Sequence, residues 1–111
     1  MEKLNPHRRC IVTFLVLALL HEWTLGRKPI HDMERLDLGI EDTVAAIGVL
    51  IKQGLVMHFI EYRERHLNIF QIINDPERFR EAKILTDEGE QALKDTSLAE
   101  LEKMWLRWPN A

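Results

Sequence analysis

Glu41-Asp42-Thr43-Val44-Ala45-Ala46-Ile47-Gly48-Val49-Leu50-Ile51-Lys52-Gln53-Gly54-Leu55-Val56 is the stretch on which the fold turns. Val44, Ile47, Leu50 and Ile51 recur at helical spacing, which predicts a helix from about Glu41 or Asp42 to Gln53 with those four facing inward. Gly54 stands where a left-handed helix cap is wanted, and Leu55-Val56 opens a run of different period. Immediately upstream, His31 to Asp37 reads as a short helix with Met33 and Leu36 inward, and Leu38-Gly39-Ile40 as the turn between the two. Short helix, glycine turn, longer helix is helix-turn-helix order, here over about 30–54.

Downstream, residues 55–63 and 67–73 are rich in branched and aromatic side chains with partial alternation. They predict a two-stranded hairpin over about 55–74, with Glu64-Arg65-His66 at its tip and Asn74-Asp75-Pro76 closing it. Thr86 can cap a following helix, whose first turn carries Asp87 and Glu88 at the positive end of the dipole. Ser97-Leu98-Ala99-Glu100 is a capping box, and Leu98, Leu101, Trp105 and Trp108 then form one stripe ahead of Pro109, so the C-terminal helices span about 86–108. At the other end, Asn5-Pro6 starts a first helix that runs to Trp23 or Thr24 and stops at Gly26. Its middle, Ile11 to Leu20, is apolar almost all round, so it should be covered on more than one side. The expected fold is mainly α with a small β-hairpin, an α+β arrangement in a single domain of residues 1–111.

Composition narrows the function. A net charge of −3 gives no general field for gathering the chain onto nucleic acid or an anionic membrane, so such binding needs a local patch. The charge is uneven: residues 1–35 carry six bases (Lys3, Arg8, Arg9, Arg27, Lys28 and Arg35) against four acids, and residues 74–103 nine acids against five bases. The single cysteine, Cys10, forbids an intramolecular disulfide and fits a reducing, cytoplasmic setting. The apolar run Ile11–Leu20 follows basic residues as a signal peptide would. It leads into His21-Glu22-Trp23 without a small-residue cleavage pattern, however, and falls short of the roughly 20 residues that span a bilayer. No membrane partner is expected.

The run Thr43–Val56, a hairpin, and then Leu85-Thr86-Asp87-Glu88-Gly89 together resemble the winged helix-turn-helix transcription regulators of the MarR and PadR type, over residues 30–94. The resemblance implies a dimer that binds double-stranded DNA, with the third helix in the major groove and the wing against the backbone or minor groove. The residues that would carry this are Thr43, Ala46 and Lys52 on the third helix, Arg63 and Arg65 near the wing tip, and Arg27 and Lys28 before the second helix. Leu98, Leu101, Trp105 and Trp108 would form the dimer interface, as flanking helices do in regulators of this type, or else pack within the chain.

The third helix itself points two ways. Its expected outward positions are Asp42, Thr43, Ala45, Ala46, Val49 and Lys52, which offer methyl groups where DNA readers carry donors. Glu41 and Asp42 put carboxylates at the end that would approach phosphate. The alternative is therefore a winged-helix interaction module that binds a protein partner through the third helix and the C-terminal tryptophan helix. Catalysis is not expected: there is no nucleophile constellation or phosphate loop. The histidines at 7, 21, 31, 58 and 66 lack ligand spacing, so neither metal nor cofactor is expected.

Overall fold

A computed structural model describes residues 6–62, 65–69, 80 and 82–107. The described elements are α1 (Pro6–Thr24), α2 (Pro29–Arg35), α3 (Ile40–Lys52), β1 (Phe59–Tyr62), β2 (Arg65–Asn68), α4 (Asp87–Ala92) and α5 (Leu98–Arg107). The chain is mostly helical with one small antiparallel sheet, as the sequence pattern required.

The central element is α1. Leu15 through Leu20 are all buried, because α3 packs on one side of this helix and α5 on another. An all-round apolar helix thus finds its cover inside the chain. Trp23 closes the same core from the C-terminal end of α1. Leu25-Gly26 ends the helix, with Gly26 at φ +114, a value side chains resist. Among the described residues no helix is long and apolar enough to cross a membrane.

The second helix begins two residues earlier than its apolar pattern suggests, because Pro29 fits the first helical position, where no backbone donor is needed. Its exit is also different from the expected glycine turn. Asp37, not Gly39, adopts the left-handed conformation, at φ 49. The Leu38 amide donates back to the Met33 carbonyl at 2.8 Å, closing the helix end in the manner usually built on glycine or asparagine. Gly39 is instead the extended N-cap of α3.

At its other end α3 closes as predicted: Gly54 takes φ +74 and the Leu55 amide bonds to the Leu50 carbonyl at 3.0 Å. The chain then does not enter the hairpin directly. Val56 pairs as an isolated antiparallel bridge with Leu85, and the hairpin starts only at Phe59. Its register pairs Phe59 with Asn68, Ile60 with Leu67 and Tyr62 with Arg65. Arg65 and His66, expected at the tip, therefore belong to β2. Ile60, Leu67 and Ile69 bury one hairpin face in the core, while Phe59 stays exposed. The expected closing turn Asn74-Asp75-Pro76 lies outside the described residues.

The step Leu85-Thr86-Asp87-Glu88-Gly89 locks onto the exit of α3. Thr86 donates its hydroxyl to the Gly54 carbonyl at 2.6 Å and accepts from the Gly89 amide at 3.0 Å, capping α4. The Thr86 amide bonds the Leu55 carbonyl at 3.1 Å. At Gly89 a Cβ would lie 2.0 Å from the Leu55 oxygen, so only glycine lets the helix seat there. Two segments more than 30 residues apart in sequence form one junction by pairing the polar groups that a helix end leaves open.

Candidate interaction surface on the third helix

The phase of α3 decides what it can touch. Thr43, Ala46, Ile47 and Leu50 make the buried stripe. Thr43, 0% exposed, can enter the core because its hydroxyl donates to the Gly39 carbonyl at 2.9 Å, leaving only its methyl to pack. Ala46 is 3% exposed. Both were expected outward as DNA contacts, and burial removes both from any contact surface. Val44, expected inward, is 39% exposed. The helix is rotated from the pattern reading because a satisfied threonine took the core position that the valine should have filled.

The outward face that results is Ile40, Glu41, Val44, Ala45, Val49 and Lys52, with Gly48 half-buried between them. Beside it lies a recess of about 260 Å³ between α3 and the start of α1, lined by Arg9, Val12, Thr13, Asp42, Ala45, Ala46 and Val49. Its walls are mostly methyl groups, with one cation and one carboxylate at the rim. Lys52 and Lys28, both exposed, are the described candidates for phosphate contact that remain free to face solvent. Arg63 and the side chain of Arg65 lie outside the described residues.

Arg27 is engaged elsewhere. It donates to Asp32 Oδ1 at 2.5 Å, and Arg35 reaches the same oxygen at 3.0 Å. Trp23 Nε1 donates to Asp32 Oδ2 at 2.9 Å. Burial alone would raise the Asp32 pKa, but the bonds from Arg35, Trp23 and Arg27 outweigh it and hold the carboxyl below its ordinary range. Arg35 also clamps Glu102 of α5, at 2.7 Å and 3.1 Å to its two oxygens. That bond first, and the one to Asp32 second, push the guanidinium pKa upward. Asp32 thus ties α1, α2 and, through Arg35, α5. The sequence carries little sign of this role beyond an aspartate three residues before an arginine on a short helix.

The C-terminal helix is spent on the core in the same way. Trp105, 4% exposed, donates its indole N–H to the Leu36 carbonyl at 2.7 Å, and Leu98 and Leu101 are half-buried against the core. Trp105 thus packs within the chain and Leu98 and Leu101 do so in part, while Trp108 lies outside the described residues. Met104 and Leu106 are the large apolar residues that α5 leaves exposed. Among the described residues no group of three or more His, Cys, Asp or Glu side chains is placed to hold a metal ion.

No protein-family profile, curated protein or solved structure matches the chain. The geometry of the third helix is therefore the main guide to what the surface does.

Proposed function

We infer that the chain is a winged helix-turn-helix binding module whose third helix contacts protein rather than duplex DNA. The winged-helix assignment is supported by the order α2, turn, α3, then the antiparallel pair β1–β2, with the Val56–Leu85 bridge leading into α4 and with α1 and α5 as flanks. The choice of partner rests on one observation: the solvent face of α3 presents Ile40, Val44, Ala45 and Val49, with Glu41 at its start.

A helix that reads a major groove needs donors for base edges and phosphates. This face has one, Lys52, at its last turn. The carboxylates of Glu41 and Asp42 would have to approach phosphate, where like charge and desolvation both oppose them. An exposed apolar strip is stabilised by removal from water against another apolar surface, which a protein supplies and a groove does not. The competing reading is a DNA-binding transcription regulator acting as a dimer, with α3 in successive major grooves; it keeps Lys28, Lys52 and the wing arginines as its contacts.

Fluorescence anisotropy with random duplex DNA separates the two. The expected result is no binding at about 50 mM salt, whereas phosphate contacts give an affinity that drops by orders of magnitude between about 50 and 200 mM. Steeply salt-dependent binding that is lost on Lys52→Ala would refute the protein-contact reading.

A further inference from the structure

The exposed side of α3 has nearly the same pattern read from either end. Glu41, Val44, Ala45, Gly48, Val49 and Lys52 succeed one another at helical spacing along one face. Reversed, the order is again charge, valine, small residue, small residue, valine, charge, with the sign inverted at the ends. A neighbouring helix of the same sequence, laid antiparallel, sets Glu41 against Lys52, Val44 against Val49 and Ala45 against Gly48. A two-fold axis repeats each of these contacts. The antiparallel arrangement also places the positive end of each helix dipole beside the negative end of the other.

Gly48 gives a separate argument. Glycine inside a helix sacrifices stability relative to alanine. A Cβ built on Gly48 meets no atom of the described residues within 4 Å, so none of them requires its absence. Small residues at the middle of a helix pair let the two backbones approach closely, and Val44 and Val49 on either side, both exposed, then pack across the seam.

We propose that α3 docks on α3 of a second copy of this chain, antiparallel about a two-fold axis, with Glu41 facing Lys52 at each end. This rests on the protein-contact reading and names its partner. It places self-association on the third helix, not on the tryptophan-bearing α5. A single helix pair buries less than the roughly 1,200 Å² of a standard interface, so the dimer forms reversibly and with concentration.

Sedimentation equilibrium of the full chain over a concentration series tests this. The wild type is expected to show a monomer–dimer equilibrium. Gly48→Leu should raise the dissociation constant at least about tenfold without lowering the thermal midpoint, because a Cβ there meets no described atom within 4 Å and leucine favours a helix more than glycine does. Glu41→Lys and Lys52→Glu should each weaken association by roughly tenfold, since each creates two like-charged contacts. The double variant Glu41→Lys with Lys52→Glu should return to within about twofold of the wild type, because the pairs are restored with exchanged sign. A chain that stays monomeric throughout overturns the proposal, and so does a dimer that Gly48→Leu leaves untouched. If the monomer also ignores duplex DNA, the protein-contact reading survives with a different partner. Salt-steep duplex binding overturns both.

Discussion

Replacing Asp32 by asparagine removes one negative charge from a site where two guanidinium groups and an indole converge. The side chain is 5% exposed and its shape is preserved by the amide. The amide has only one acceptor oxygen, so its NH2 group is turned toward at least one donor. Each hydrogen bond to a charged partner contributes about 1.5–3 kcal/mol where it is shielded. Arg27 and Arg35 are 39% and 45% exposed, so water recovers part of what they lose and the sum is discounted by about half. The expected loss is about 2–3 kcal/mol, a large part of the roughly 5–15 kcal/mol that holds a domain of this size.

Urea unfolding at neutral pH, followed by tryptophan fluorescence, reads that loss as a lower midpoint. The pH dependence supplies the second check. The folded-state pKa of Asp32 is lowered from its ordinary value of 3.8, so its contribution is complete above that value. It is lost as pH falls through the folded pKa, because the carboxyl is then neutral in the folded chain as well as in the unfolded one. Asp32→Asn lacks the titration, and its deficit relative to the wild type should shrink toward zero in strong acid. A deficit below about 0.5 kcal/mol at neutral pH, or one that is constant into strong acid, would show that the carboxylate is not the fastening it is taken to be.

Gly89→Ala should reverse the usual gain from removing a helical glycine, because its Cβ falls 2.0 Å from the Leu55 oxygen. A loss of about 3 kcal/mol, or roughly 10–20 °C in the thermal midpoint by calorimetry, is expected. An unchanged or higher midpoint would mean that α4 does not seat against Leu55. Trp105→Phe keeps an aromatic ring in place but leaves the buried Leu36 carbonyl without its 2.7 Å donor. About 1–3 kcal/mol should be lost in urea unfolding, and a change within error would show that water or another donor replaces the indole.

What the sequence revealed was governed by near neighbours. Gly54 could be read as a left-handed cap because the requirement is local to the end of α3, and the Thr86 cap for the same reason. Pro29 and Asp37 misplaced the ends of α2 because proline and aspartate can each serve positions that the pattern assigned to others. The face of α3 was misjudged through Thr43, whose polarity suggested solvent although its hydroxyl is satisfied by Gly39. The partners that join α5 to α2 were out of reach altogether. The bonds from Arg35 to Glu102 and from Trp105 to Leu36 span 67 and 69 residues, and no window along the chain contains both partners.

The junction between Gly54, Leu55, Thr86 and Gly89 has a consequence for how this chain can change over generations. Since Thr86 serves two partners at once and Gly89 leaves no room above Leu55, a substitution at any one of these positions disturbs the others. Variation is therefore permitted there only as a concerted set, while changes at the outward positions of α3 a few residues away leave the junction intact. A descendant could exchange its partner by altering Glu41, Val44 or Lys52 without touching the hinge-pin that fixes where α3 ends.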